Sequence, residues 1–440
     1  MKYYSTNNQA PIADLHKAVV KGLAEDRGLY MPEKINKLPK EFFDNIEKMS
    51  FQEIAYTVAS AFFGEDVDPD ALHDIVYDTL QFDCPVVNVK DNIYTLELFH
   101  GPTLAFKDVG ARFMARLLQY FIKQENNHKE VNVLVATSGD TGSAVANGFL
   151  GVDGIHVYVL YPKGKVSPIQ ECQFTTLGKN ITAIEVDGVF DDCQALVKNA
   201  FMDAELNEHM KLTSANSINV ARFLPQAFYY FNAYARMKEI ANTQHLSPNT
   251  QLVMCVPSGN FGNICAALFG HEMGLPIKRF IAANNANDIF YNYLQTGKYE
   301  PKPSKQTLAN AMDVGDPSNF ARIYDLYGKS HAKITSLISG ATYSDEQIKA
   351  TMRECYKDSG YILDPHGACG YQALKDGLQA GEVGVFCETA HPAKFKEKVD
   401  DILGIDVEIP ERLAAFMRGQ KQSVPMSKDF ADFKAFLMKQ

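Results

Sequence analysis

Val131-Asn132-Val133-Leu134-Val135-Ala136-Thr137-Ser138-Gly139-Asp140-Thr141-Gly142-Ser143-Ala144-Val145-Ala146-Asn147-Gly148-Phe149 is the stretch that decides the fold. Its first six residues are a short, almost wholly apolar run of the kind that forms a buried strand. A glycine-rich turn follows, and after it a helical sequence of small residues. The arrangement repeats further on. Gln251-Leu252-Val253-Met254-Cys255-Val256 reads as a strand, breaks at Pro257-Ser258-Gly259-Asn260-Phe261-Gly262-Asn263, and continues as the helix Ile264-Cys265-Ala266-Ala267-Leu268-Phe269. A strand, glycine turn and helix in that order aim free backbone N–H groups and the positive helix end at one spot, which suits an anion. Neither turn ends in the Gly-Lys-Ser/Thr of a Walker A loop, and neither is a clean G-x-G-x-x-G. Taken singly, each reads as an ordinary tight connection.

Outward from these turns the pattern alternates. Residues 157–160 and Ile181–Val186 read as strands; residues 168–177 and 193–202 read as helices. A long helix is expected over 220–240 and a late buried strand over 383–387. Strands separated by helices of this length imply right-handed crossovers and a parallel sheet covered on both faces. The fold class is therefore α/β. Up to about residue 82 the chain reads as mostly helical, with helices at 14–24, 40–49, Phe51–Phe63 and 69–80, and no glycine-turn chemistry. Residues 284–327, rich in Asn, Pro and Tyr, read as a long irregular excursion.

Composition narrows the function. A chain of 440 residues can fill more than one hydrophobic core. Its net charge of −10 and the lack of a basic stripe with interleaved aromatics argue against nucleic acid. The start, Met1-Lys2-Tyr3-Tyr4-Ser5-Thr6-Asn7-Asn8, has no apolar leader core, and no window approaches a membrane span. The eight cysteines include no C-x-x-C pair, and the eleven histidines have no ligand spacing. They imply free thiols in a reducing, cytoplasmic setting and no metal.

A further stretch carries a candidate reactive group. In Phe99-His100-Gly101-Pro102-Thr103-Leu104-Ala105-Phe106-Lys107-Asp108, apolar residues recur from Phe106 through Val109, Phe113, Leu117, Leu118 and Phe121. That stripe places Lys107 just inside a helix start, with Asp108 in the first turn where the helix dipole favours a carboxylate. A lysine in a partly dry pocket gains a usable amine, both nucleophile and base. By itself Phe-Lys-Asp reads as a surface lysine, so the meaning lies in the company it keeps.

In order along the chain come Phe-Lys-Asp at 106–108, Ser-Gly-Asp-Thr-Gly at 138–142, Ser-Gly-Asn-Phe-Gly-Asn at 258–263, and Glu388-Thr389-Ala390-His391-Pro392-Ala393-Lys394-Phe395. This series resembles the fold-type II pyridoxal-phosphate enzymes, and residues 99–108 and 389–395 resemble the threonine synthase family in particular. Tyr3-Tyr4-Ser5-Thr6 and Arg27-Gly28-Leu29-Tyr30-Met31-Pro32-Glu33 resemble the amino-terminal extension of its bacterial and fungal branch. The resemblance implies a two-lobed architecture of parallel-sheet lobes with flanking helices. It suggests a mostly helical segment over 1–85, a smaller lobe over 86–215 with Lys107 and the first turn, and a larger, partly interleaved lobe over 216–440.

It also implies an activity and a cofactor. O-phospho-L-homoserine and water would become L-threonine and phosphate by γ-elimination and β-addition, with pyridoxal phosphate bound as an imine to Lys107, which also carries protons. Ser258, Gly259, Asn260, Phe261, Gly262 and Asn263 would hold the cofactor phosphate, and Thr389 would meet the ring nitrogen. Thr137, Ser138, Asp140 and Thr141 would hold the amino-acid end of the substrate, with help from N–H groups opening the helix at Ser143. Asp140, awkward beside a substrate carboxylate, is expected to accept hydrogen bonds from neighbours or from the substrate ammonium. Asn216, Ser217 and Arg222 would take the substrate phosphate; the competing reading is a helix cap by Asn219 beside a surface arginine. His366 in Asp364-Pro365-His366-Gly367 reads as structural, and for His391 a packing role weighs equally. No nucleic-acid or membrane partner is implied, and the expected state is a monomer or weak dimer. Rival readings are another pyridoxal-phosphate phospholyase or β-replacement lyase, a nucleotide-dependent dehydrogenase, and a silent binding protein.

Overall fold

A computed structural model describes residues 1–440 except 128, 245 and 248. The chain forms two compact units, each assembled from separated segments. One comprises Lys2–Met31, Pro102–Arg222 and Ile409–Gln440; the other comprises Met1, Pro32–Gly101 and Phe223–Glu408.

The first unit is built on a five-stranded sheet in the order Val424–Met426, Ile181–Val186, Ile155–Pro162, Val131–Ala136, Lys211–Ser214. Every neighbouring pair is parallel. All six residues of Val131–Ala136 are buried, as a central strand covered on both faces requires. The chain leaves this strand toward Ile155–Pro162 and Ile181–Val186, then returns to its other side at Lys211–Ser214. The direction of winding therefore reverses between Val131–Ala136 and Lys211–Ser214. In open α/β sheets the strand ends at such a reversal form the crevice where ligands bind.

The second unit has a six-stranded sheet in the order Ile338–Thr342, Arg279–Asn284, Gln251–Pro257, Glu382–Glu388, Ile93–Glu97, Val86–Lys90. All pairs are parallel except the last, a hairpin-like antiparallel edge. The winding runs from Gln251–Pro257 outward through Arg279–Asn284 and Ile338–Thr342, then returns to Glu382–Glu388. Its reversal lies between Gln251–Pro257 and Glu382–Glu388.

Several expectations change. The amino-terminal segment holds its expected helices, the first as Leu15–Lys21, but also carries an unexpected three-stranded sheet of Ala13–Asp14, Lys2–Ser5 and Tyr30–Pro32. Strands of two to four residues are too short to show a period. The helices Lys40–Asn45, Phe51–Phe63 and Pro69–Thr79 do form, the second opened by a capping box in which Ser50 and Glu53 satisfy each other's backbone N–H groups. Breaks fall after 31, 101, 222 and 408 rather than at 85 and 215. One reason is that Ile93–Glu97 is hydrogen-bonded to Glu382–Glu388 and goes with that sheet. The helix expected over 220–240 is interrupted: Val220–Phe223 gives way to a 3-10 turn at Leu224–Gln226 before Ala227–Gln244. Pro225 has no N–H to continue an α-helical ladder.

Candidate active site

In the first unit, helix Lys107–Gln124 starts at Lys107 itself, after Phe106, whose side chain makes no capping bond. The loop before it is held by Asp108, whose carboxylate accepts the Thr103 N–H at 2.9 Å and the Thr103 hydroxyl at 2.6 Å. Gln173 donates to the Thr103 carbonyl at 3.1 Å. Between these anchors Leu104 adopts φ 59°, a left-handed conformation a leucine accepts only when its surroundings impose it. Asp108 thus does more than complement the helix dipole: it closes the turn that aims Lys107. The Lys107 ammonium lies 5.3 Å from the centre of the Phe106 ring.

Arg222 packs against the same helix. Its Nε donates to the Ala215 carbonyl at 2.7 Å and its Nη1 approaches the Lys107 carbonyl at 3.5 Å. Gly110 makes this contact possible, since a Cβ there would lie 2.2 Å from the Arg222 carbonyl oxygen. With 1% of its surface exposed, Arg222 is not a surface arginine. Asn219 nevertheless acts as a cap, accepting the Ala221 N–H at 3.0 Å. Asn216 spends its amide on the end of the central strand, donating to the Ala136 carbonyl at 2.9 Å and accepting its N–H at 3.3 Å. It thereby ties the Lys211–Ser214 strand end to the first glycine turn across the reversal. Ser217, beside it, is half-buried.

The first glycine turn consumes much of its own backbone. The Thr137 hydroxyl accepts the N–H groups of Gly139 at 2.9 Å and Gly142 at 2.8 Å. The Ser143 N–H goes to the Gly139 carbonyl at 3.1 Å, so it is not the open donor expected there. Ser143 also places its hydroxyl on that carbonyl. Gly139 has φ 143°, and a Cβ would meet the Gln170 side chain at 2.6 Å. Asp140 is 2% exposed and accepts from Gln170 Nε2 at 2.9 Å, the neighbour bond expected for it. Ser138 and Thr141 flank it, partly exposed.

In the second unit the glycine turn is the opposite. Asn263 braces it from inside, donating to the Pro257 carbonyl at 2.8 Å and accepting the Ser258 hydroxyl at 3.0 Å. Asn284 donates to the Ser258 carbonyl at 2.8 Å. Phe261 stands at φ 64° and precedes helix Gly262–Glu272. Among the described residues, no acceptor takes the backbone N–H groups of residues 259–263. Residues 261–263 are buried. Buried N–H groups are almost always paired, so a row of them at a helix start is a ready-made anion nest.

Thr389 follows the strand Glu382–Glu388 at the other side of the same reversal and is 5% exposed. His391 is a packing and capping residue: its Nδ1 accepts the Ala393 N–H at 3.0 Å, and its ring meets Phe99 edge-on at 5.1 Å. Burial, and then the nearby His100, push its pKa down to about 4. The calls for Lys107, the first turn, Asn216, Ser217 and Arg222 thus gather at one reversal, and those for residues 258–263 and Thr389 at the other. Missed by the sequence reading were Gln170 and Gln173, three residues apart on helix Pro168–Thr175, and Asn284 at a strand end. The i, i+3 spacing of two glutamines in an apolar setting was the available signal.

The profile for pyridoxal-phosphate dependent enzymes matches residues 82–387. Profiles for the threonine synthase N terminus and the threonine synthase C-terminal region match residues 2–80 and 367–437. The chain is 44% identical to threonine synthase of Serratia marcescens, covering 100% of this chain and 99% of that one. The crystal structure of threonine synthase from Escherichia coli superposes with a TM-score of 0.92 at 43% identity, with both chains fully covered. The crystal structure of pyridoxal-phosphate-bound threonine synthase from Brucella melitensis gives 0.90 at 33% identity, covering 100% of this chain and 99% of that one.

Proposed function

The chain belongs to the threonine synthase family of pyridoxal-phosphate-dependent lyases, and from that premise we propose that its substrate is O-phospho-L-homoserine, converted with water to L-threonine and phosphate. The observation that carries the cofactor assignment is the row of unclaimed N–H groups at 259–263, a neutral nest fitted to a phosphate dianion. Glycine at 259 is required there as well, because a Cβ would lie 2.3 Å from the Ala311 carbonyl oxygen.

Bound pyridoxal phosphate supplies an electron sink that acidifies the C–H bonds next to the amino-bearing carbon. Residues 258–263 would hold its phosphate, Thr389 would meet its ring nitrogen with a neutral hydroxyl, and Lys107 Nζ would be its covalent anchor. The Lys107 amine, when not engaged as that anchor, would remove the Cα proton and return protons along the carbon chain. Ser138 and Thr141 orient the amino-acid end and Asp140 faces the ammonium, while Thr137, fully buried with its hydroxyl on the Gly139 and Gly142 N–H groups, braces the turn from inside instead of meeting the substrate as expected. Asn216, Ser217 and Arg222 take the substrate phosphate, so the leaving group departs against a fixed positive charge. Overall the Cγ–O bond breaks with its electron pair leaving on phosphate. Cβ gives up one proton and Cγ gains one, the water oxygen bonds to Cβ, and the proton the water loses ends on the released phosphate. The eight cysteines are free thiols, seven of them buried, in keeping with a cytoplasmic setting.

The test is direct. Purified protein given O-phosphohomoserine should release threonine and phosphate one for one, and O-phosphoserine should give neither threonine nor comparable turnover. Borohydride should fix the cofactor on the peptide containing Lys107. Phosphate release without threonine would move the assignment to a phospholyase.

A further inference from the structure

The turn Asp364-Pro365-His366-Gly367 has no part in the mechanism above, yet it is among the most heavily wired places in the second unit. Asp364 caps helix Pro365–Gly377, accepting the N–H of Gly367 at 2.8 Å and of His366 at 3.2 Å. The same carboxylate takes His366 Nδ1 at 2.5 Å. The other ring nitrogen, Nε2, accepts the Ala311 N–H at 3.1 Å. An N–H pointing at Nε2 leaves the proton on Nδ1, so the neutral ring donates to Asp364 and accepts from Ala311. Ala311 in turn presses its carbonyl against the glycine turn, since a Cβ on Gly259 would lie 2.3 Å from that oxygen.

On its other side the network reaches the strand end before Thr389. Glu388 Oε1 accepts the Asp364 N–H at 3.0 Å, and among the described residues Glu388 Oε2 has no hydrogen-bond partner. Gly367 leaves room for it, because a Cβ there would stand 2.1 Å from Oε2. Asp364, His366 and Glu388 are all buried. Two ionised carboxylates in that position would repel in a dry setting, so one must keep its proton. Burial, and then the Asp364 charge, raise the Glu388 carboxyl well above the usual range. Burial opposes ionisation of Asp364 too, but the His366 ring, Glu388 and the Gly367 N–H hold it below the usual carboxylate range. One negative charge, on Asp364, is held by the His366 ring and the helix N–H groups, with the Glu388 carboxyl bonded to the Asp364 backbone N–H.

We propose that Asp364, His366 and Glu388 form a positioning unit for the cofactor, fixing the 259–263 nest through Ala311 and fixing Thr389 through the strand end it follows. The inference rests on the cofactor reading given above. None of the three touches the cofactor phosphate; each acts on the backbone that does. The unit explains why a buried acid ends the strand and why glycine follows His366. A purely apolar filling would pack these positions but would leave Ala311 free to drift from Gly259.

The experiment separates cofactor positioning from general stability. Wild-type, His366→Ala and His366→Gln apoprotein are titrated with pyridoxal phosphate and, separately, with pyridoxal, which lacks the phosphate. His366→Ala is expected to weaken pyridoxal phosphate by about tenfold or more while leaving pyridoxal within about twofold, since His366 reaches the nest through Ala311 and the Thr389 side is held separately by the Glu388 bond to the Asp364 N–H. His366→Gln, whose amide oxygen can still accept the Ala311 N–H, should recover most of that loss. An infrared difference between wild type and Glu388→Gln at neutral pH should show the loss of a protonated carboxylic acid band. Equal weakening of both ligands, no weakening of either, or absence of the acid band would overturn the positioning unit. Wild-type protein that took up neither ligand would instead overturn the cofactor reading itself.

Discussion

The two glycine turns are close relatives in sequence and opposites in what their backbones offer. Thr137-Ser138-Gly139-Asp140-Thr141-Gly142 and Pro257-Ser258-Gly259-Asn260-Phe261-Gly262 match at the serine and both glycines. In the first, the Thr137 hydroxyl absorbs two of the turn's N–H groups, and a buried carboxylate stands at the helix start. In the second, proline occupies the position of that threonine and has no hydroxyl to accept anything. Its N–H groups stay available, and amide-bearing Asn260 replaces the carboxylate. A single side chain at the head of the turn therefore decides whether a strand–turn–helix unit is a rigid wall or an anion nest. The first unit compensates with cationic groups, Lys107 and Arg222, against one helix start.

The largest effect should come from the first unit's lysine. Lys107→Ala is expected to lower threonine formation by about 10³-fold or more and to abolish borohydride fixation, while cofactor still binds. Turnover near wild type in that variant would remove Lys107 from the chemistry. Arg222→Ala comes next. Loss of a charge-assisted pair should weaken phosphohomoserine by about 1.5–3 kcal/mol and leave the cofactor absorbance unchanged. The reverse result, with cofactor lost and substrate kept, would mean that the two anion sites are interchanged. The third change tests the comparison at its root. Pro257→Thr gives the second turn the hydroxyl that satisfies the first, and cofactor affinity in equilibrium titration should fall by about 1–2 kcal/mol. Unchanged affinity would show that the nest does not carry the phosphate. The smallest effect belongs to Thr389→Ala, which should loosen the cofactor by about 0.5–1.5 kcal/mol, one neutral hydrogen bond. A null result in the same titration would detach Thr389 from the ring nitrogen.

Much of this was readable in the sequence, and what was not has physical reasons. Ile181–Val186 and Phe51–Phe63 form at the residues their periodicity marks. Both glycine turns sit between a buried strand and a helix, as their flanking elements implied, but the strand order that puts each at a reversal of winding was not legible. The different states of their backbones were not legible, because Thr137 reads equally well as ligand contact or internal acceptor until the N–H directions are known. Arg222 could be read as exposed, since nothing local shows that Gly110 of another helix lies over it. The Asp364, His366 and Glu388 network joins residues far apart in the chain through Ala311, which carries no signal at all. Periodicity reports a residue's own element; it does not report which distant backbone atom completes a hydrogen bond.

The last strand of the five-stranded sheet, Val424–Met426, pairs with Ile181–Val186, and Phe433 and Leu437 fill the core with Leu134 and Leu160. Between those partners the ribosome must make all of Phe223–Glu408. At about 5–20 residues per second, roughly 200 residues of synthesis occupy ~10–40 s. Throughout that interval the nascent first unit has an unpaired strand edge at Ile181–Val186 and an apolar face awaiting its final helix. The protein is thus born with a timed exposure written into its chain order. Deleting the residues from Val424 onward is therefore expected to leave that edge and face uncovered for good, and to show as a loss of soluble protein on expression.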